Sequence, residues 1–362
     1  MKLKNNIAEI REYTPGKTIK GAIKLSSNEN PLGPSPKAIK AIMENLNNIN
    51  RYPEGSSPGL RKKLAEIWKV EDDQIVVGNG SDEVFLLITT AWLDKTQNAI
   101  SALETFSEYK FSAQLQGAEF KQVPLKDGGY NLEGLLEAVD ENTAMIYLCN
   151  PNNPTGTYFS HTELKDFLTE LSEKENRLGL EIITVLDEAY AEFAEEEDFP
   201  DSRKLIREFP NLVVSRTFSK LYGLAGLRVG YAVGNKKIIK GARKASAPFN
   251  VNLMAQMAAE AALDDAEFVA ESIETVITEK NYLYGELDNL GLEYYKTQSN
   301  FICINIKYDS QKAWEYIAGR GISVRSLKSF MLPEMIRYTI GRHQENELFI
   351  NILSDFTSKK AK

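Results

Sequence analysis

The sequence predicts an α/β protein, with one large domain built on a mostly parallel sheet flanked by helices and a smaller α+β domain after it. Three observations point there. Short, continuous apolar runs alternate with helical patterns through the middle of the chain, as strands buried on both faces of a parallel sheet require. That alternation ends near Lys240, where a helical region and then strand-like segments follow. At 362 residues the chain also exceeds one ordinary core.

Taken in order, the N-terminal segment is punctuated by Pro15, Pro31, Pro34 and Pro36 and is too irregular to form a domain. It is expected to pack against the second unit. Apolar runs predict strands at Ile75–Val77, Ala99–Leu103, Ala144–Cys149, Ile182–Leu186, Leu212–Ser215 and Val229–Val233. Helical patterns fall between several of them, at Asp82–Ala91, Tyr109–Gln116 and Thr162–Glu173. From about Lys240 a helical region runs to Asn289. Strands at Phe301–Ile306, Ile322–Val324 and Ile336–Ile340 and a terminal helix come after it. The expected division is a large domain over 40–244, with 1–39 and 245–362 forming an N-terminal arm and a small C-terminal domain.

Composition narrows the chemistry. A formal net charge of −8 argues against a general nucleic-acid binder. Two cysteines, Cys149 and Cys303, build no disulfide framework in so long a chain, and their apolar flanks predict buried thiols. Two histidines, His161 and His343, leave little material for a metal site or a serine-type triad. The opening residues MKLKNNIAEI lack the apolar core of a signal peptide, and no run reaches transmembrane length. A cytoplasmic protein with no membrane partner is expected. The acidic run EFAEEEDFPD, residues 192–201, reads as a solvated loop.

Four segments carry chemistry, and each has a bland alternative. In TFSKLYGLAGLRVG (217–230), Lys220 is either a surface lysine at a turn or an amine able to join an aldehyde cofactor as a Schiff base. Ser219 and Arg228 beside it suit a phosphate, arginine through its rigid fork of donors. In VLDEAY (185–190), Asp187 ends a buried strand at the sheet edge where α/β enzymes bind ligands. It either pairs with a protonated pyridine nitrogen or caps a helix. Tyr190 lies three residues on and can reach a ring's phenolic oxygen. In CNPNNPTG (149–156), Asn153 offers an amide donor at the same edge, although such a run is often only a turn. In VGNGSDEV (77–84), Gly80 lets the backbone approach a ligand. The amides of Ser81 and Asp82 then open a helix whose N-terminus favours phosphate, unless the serine is a plain N-cap. All four segments sit at strand ends, and together they supply the parts of one pyridoxal 5'-phosphate site.

The order GNGSDE, NPNNPTG, DEAY, SK, GLRVG resembles the fold-type-I PLP-dependent aminotransferases. LSSNENPLGPSP (25–36) and RYPEG (51–55) narrow the resemblance to the histidinol-phosphate aminotransferase group, over Tyr13 to Arg337. The resemblance implies a seven-stranded sheet in the large domain and pyridoxal 5'-phosphate as cofactor. It makes Lys220 the lysine that holds the cofactor and shuttles protons, and Asp187 the partner of the pyridine nitrogen. Asn153 and Tyr190 fall on the phenolic oxygen, with Asn153 also beside substrate. Ser81, Asp82, Ser219 and Arg228 fall on the phosphate, and Phe106 stacks on the ring. Tyr13, Arg325 and Arg337 match positions that hold the substrate's anionic end. Tyr52 matches a tyrosine that reaches the neighbouring subunit's cofactor, which implies a homodimer with a shared site.

Two positions depart from the pattern. Glu104 stands where many relatives have proline, and Phe106 replaces the tyrosine of some members. The implied reaction is ping-pong transamination between L-histidinol phosphate and 2-oxoglutarate, giving imidazole acetol phosphate and L-glutamate in histidine biosynthesis. An aromatic amino-acid aminotransferase is the nearest alternative. A threonine-phosphate decarboxylase and a PLP-binding regulator are further ones, and the regulator would need an added DNA-binding head.

Overall fold

The computed structural model describes residues 1–10, 12, 19 and 21–360. Its strands are β1 (Ile23–Lys24), β2 (Ile75–Gly78), β3 (Asn98–Ala102), β4 (Glu119–Val123), β5 (Thr143–Cys149), β6 (Ile183–Asp187), β7 (Leu212–Thr217), β8 (Gly230–Val233), β9 (Glu293–Tyr294), β10 (Phe301–Asn305), β11 (Ile322–Ser323), β12 (Arg325–Ser326) and β13 (Met335–Thr339). Seven form one sheet in the order β2-β8-β7-β6-β5-β3-β4. Only β8 runs against the others.

Every residue of β3, β5 and β6 is buried, which explains why these strands read as unbroken apolar runs. Alternate residues of the strands enter two separate apolar clusters. Helices Pro58–Trp68, His161–Leu178 and Leu253–Ala262 cover one face, and Gly80–Trp92, Glu108–Gln116 and Lys236–Ala245 cover the other. A third cluster lies around an antiparallel sheet, β12-β13-β10-β9, with helices Ala266–Asn289 and His343–Lys360. β1 pairs in parallel with β11, so the N-terminal segment is stitched to this second unit.

One strand was not foreseen, and two expectations are corrected. β4, with the sequence EFKQV, gave no apolar signal because it is an edge strand, only partly buried along its length. The single helical region to Asn289 is three helices, Lys236–Ala245, Leu253–Ala262 and Ala266–Asn289. Pro248 and the left-handed Phe249 (φ 58°) break the first junction, and the Asn252 side chain caps the next helix. The middle helix then packs its alanine face into the large-sheet cluster, together with Ala38 of helix Pro36–Asn45. The acidic run is not simply solvated: Glu192 pairs with Arg216, and Glu195 pairs with the buried Lys280. Among the described residues no helix is long and apolar enough to cross a membrane, and no cluster of His, Cys, Asp and Glu could hold a metal ion.

Candidate active site

The ends of β5, β6 and β7 lie side by side, with Cys149 opposite Asp187 and Asp187 opposite Ser215. The loops that follow therefore emerge at one edge, where a parallel sheet presents its ligand crevice. After β5 the chain turns through a cis Asn150–Pro151 bond. Asn150 exchanges hydrogen bonds with the backbone of Phe159, and Asn152 donates to Thr155 Oγ1 and to the Glu104 carbonyl. These two asparagines build the turn, while Asn153 faces outward from it and accepts from Arg337 Nη1. Glu104, the departure from the family pattern, fastens its own loop by accepting from the Leu125 N–H at 3.0 Å.

Asp187 is the last residue of β6 and only 3% exposed. It accepts from the Tyr109 hydroxyl at 2.6 Å and from the Ala189 N–H at 3.2 Å. Burial pushes its carboxyl up to about 7, against the pull of the Tyr109 hydrogen bond. The bond to Ala189 closes a local turn and caps no helix, since the next helical turn begins at Ala191, and the carboxylate sits desolvated at the sheet edge.

A second group of residues forms a cradle at the start of helix Gly80–Trp92. Asn79 occupies the N-cap position, so Ser81 lies inside the first turn and is no N-cap. Gly80 is left-handed (φ 83°), and a Cβ there would lie 2.4 Å from Arg228 Nη2. A Cβ on Gly230 would lie 2.5 Å from the Ser81 amide nitrogen. Arg228, itself left-handed, donates to Asp82 Oδ2 at 3.0 Å, to Ala225 O at 3.3 Å and to Ser219 Oγ at 3.4 Å. The structure thus brings Ser81, Asp82, Ser219 and Arg228 together, with two bare glycines letting the Arg228 guanidinium and the first turn of the helix pack this closely.

Lys220 follows β7 and is not a free surface lysine: its amine donates to Ser27 O at 3.0 Å and lies 5.6 Å from the centre of the Tyr190 ring. Burial, reinforced by the Arg337 charge, brings its amine down to about 8. Tyr190 is buried, with its hydroxyl oxygen accepting from Asn28 Nδ2 at 2.9 Å and its ring packed edge-on against Phe301 at 5.1 Å. Arg337 lies in β13, donates Nη2 to Ser26 O at 2.8 Å, and holds a buried Nε with no hydrogen-bond partner among the described residues. Burial lowers its guanidinium to about 10.

Other expected residues are arranged more loosely. Arg325 is paired in register with Arg337 on β12, and its guanidinium reaches Ser329 Oγ at 3.5 Å. Phe106 stands edge-on to Tyr109 at 5.8 Å. Tyr52 is 83% exposed, stacked on Phe249 at 4.8 Å and, among the described residues, part of no contact within the site. Tyr13 lies outside the described residues. Sequence reasoning assigned no role to Tyr109, or to Ser26, Ser27 and Asn28, although the last three stand inside the LSSNENPLGPSP segment it singled out. Cys149 and Cys303 are both buried free thiols.

The aminotransferase class I and II family matches residues 20–353. The chain belongs to this family. Within reach of it, the chain is 40% identical to a histidinol-phosphate aminotransferase of Geobacillus sp. (strain WCH70) over an alignment of 369 residues, covering 99% of both chains. The structure of histidinol-phosphate aminotransferase from Sinorhizobium meliloti in complex with pyridoxal-5'-phosphate superimposes with a TM-score of 0.87 at 25% identity, over 99% of this chain and 98% of that one. L-threonine-O-3-phosphate decarboxylase from Porphyromonas gingivalis aligns with a TM-score of 0.80 at 27% identity, over 93% of this chain and 99% of that one. The family's fold and the seven-stranded sheet of this chain agree.

Proposed function

We propose that this chain is a pyridoxal 5'-phosphate-dependent histidinol-phosphate aminotransferase, passing the amino group of L-histidinol phosphate to 2-oxoglutarate. One observation carries the chemistry: Lys220, its amine held near 8, faces the wall formed by Tyr190 and Arg337 at the edge where Asp187 is buried. The extensive likeness to curated histidinol-phosphate aminotransferases supports the substrate.

The residues fit the cofactor. Its phosphate suits the cradle of the Ser81 and Asp82 amides, Ser219 and Arg228, which the bare Gly80 and Gly230 let close up against one another. When bound, the cofactor supplies an aldehyde that joins amines and a pyridine ring that accepts the electrons of a breaking C–H bond. Asp187 would pair with the ring's N–H, and a charged partner there would draw the carboxyl down from about 7. Asn153 spends its oxygen on Arg337, which leaves its amide N–H to donate to the phenolic oxygen alongside Tyr190. Lys220 is poised to take up and return the substrate's α proton, because an amine near 8 is partly neutral at physiological pH. Phe106 would stack on the ring.

Arg337, with its unpartnered Nε, would bind the anionic end of substrate, phosphate or carboxylate, with Arg325 beside it and Tyr13 as a further contact. The exposed Tyr52 supports a homodimer in which it reaches the second copy's cofactor phosphate. The cytoplasm is the setting we infer for such a biosynthetic enzyme.

The test is kcat/KM for histidinol phosphate against phenylalanine, with 2-oxoglutarate as acceptor. A clear preference for histidinol phosphate supports the reading, and a preference for phenylalanine replaces it with an aromatic aminotransferase.

A further inference from the structure

Three consecutive residues of the N-terminal segment meet three separate site residues. Ser26 O accepts from Arg337, Ser27 O accepts from Lys220, and Asn28 Nδ2 donates to the Tyr190 hydroxyl. Asn28 is 1% exposed and left-handed (φ 56°), a conformation asparagine tolerates better than most residues with a side chain. Its backbone N–H donates to Thr339 Oγ1 at 2.9 Å, and the Thr339 hydroxyl donates back to Asn28 Oδ1 at 3.2 Å. Asn300 Nδ2 holds the Asn28 carbonyl at 3.1 Å. In this arrangement the amide oxygen faces Thr339 and its N–H groups face Tyr190.

We propose that Asn28 is a positioning residue that commits the single proton of the Tyr190 hydroxyl to the cofactor's phenolic oxygen. The proposal rests on the role given to Tyr190 above. A tyrosine hydroxyl has one proton to donate and lone pairs to accept with. Asn28 fills a lone pair, which keeps the proton free for the second partner and makes the phenol a stronger donor. Proton donation to the phenolic oxygen makes the oxygen–nitrogen pair it would form with Lys220 less basic. The pH midpoint of the bound cofactor's visible absorption is therefore held down by Asn28. Asn28 also follows directly on Ser26 and Ser27, whose carbonyls accept from Arg337 and Lys220.

The experiment is a pH titration of visible absorption on the holoenzyme. The variants are Tyr190→Phe, Asn28→Gly, Asn28→Asp, Thr339→Val and the pair Tyr190→Phe with Asn28→Gly. Asn28→Gly keeps the left-handed backbone accessible and removes only the amide. Tyr190→Phe is expected to raise the midpoint, and Asn28→Gly to raise it by about half to one pH unit, the worth of one hydrogen bond. Asn28→Asp places an acceptor against Tyr190 and is expected to raise it at least as far. Thr339→Val, which frees the amide to rotate, moves it the same way and carries the test if the Asn28 variants do not fold. In the double variant Asn28→Gly adds nothing beyond Tyr190→Phe. A shift with Tyr190→Phe but none with Asn28→Gly, Asn28→Asp or Thr339→Val overturns the proposal and leaves the role of Tyr190 standing. No shift with Tyr190→Phe overturns both.

Discussion

The Tyr109 hydroxyl donates to Asp187 Oδ2 at 2.6 Å, joining the first turn of helix Glu108–Gln116 to the end of the central strand β6. Both side chains are buried, so the bond steadies a carboxylate that water does not reach. Asp187 consequently sits near 7 rather than its ordinary 3.8, with burial the main cause.

A stability effect follows in protein stripped of cofactor. The folded value lies above the ordinary one, so the contribution of Asp187 to stability is fully present below about 3.8 and is lost as pH rises through about 7. Asp187→Asn should therefore be more stable than wild type at pH 8, by on the order of a few kcal/mol, with the gap closing as pH falls toward 4. In the holoenzyme the same variant should slow proton transfer by about 100-fold or more, at least ~2.7 kcal/mol. Thermal melts across pH and single-turnover rates check the two halves. Equal melts at pH 8 would show that the carboxylate carries no burial cost.

Gly80 tests the phosphate cradle. Alanine there would adopt an unfavourable left-handed backbone and press its Cβ against Arg228. Gly80→Ala should weaken cofactor affinity by about 10-fold or more, the worth of a charge-assisted hydrogen bond displaced, while leaving the fold intact. Equilibrium dialysis with pyridoxal 5'-phosphate measures it. Unchanged affinity would place the phosphate elsewhere.

Arg337 bears on substrate choice. Histidinol phosphate should exceed unphosphorylated histidinol in kcat/KM by roughly 10- to 150-fold, as one charge-assisted contact implies. Arg337→Ala should erase most of that ratio. Equal kcat/KM for the two compounds in wild type would remove the phosphate-specific reading.

Tyr52 tests the shared site. Lys220→Ala and Tyr52→Ala subunits, each poorly active alone, should recover activity when exchanged into mixed dimers, up to about half of wild type per hybrid dimer, because only one of the two sites is then intact. Native mass spectrometry confirms the exchange. Mixed dimers no more active than their parents would confine Tyr52 to its own subunit, stacked on Phe249.

Much of the fold was legible because buried strands leave apolar runs: β3, β5 and β6 stand within a residue or so of where the sequence put them. β4 was not, since an edge strand needs no continuous apolar face. In the site, Lys220, Asp187 and Arg228 lie in local motifs with chemical character of their own. Tyr109 and Asn28 do not. Tyr109 resembles any aromatic on the buried side of a helix, and its partner lies 78 residues away. Asn28 acts through a left-handed backbone and a contact across 162 residues, which no local pattern encodes. The break at Pro248 was visible as a proline, yet the alanine-rich helix beyond it gave no sign of which cluster it would join.

The most direct measurement is borohydride reduction of the purified holoenzyme followed by peptide mapping. The expected result is loss of the visible absorption band, with the cofactor fixed covalently on Lys220, and no fixation in Lys220→Ala. A reduced adduct on another lysine, or none with cofactor present, would contradict the placement of the reaction at Lys220.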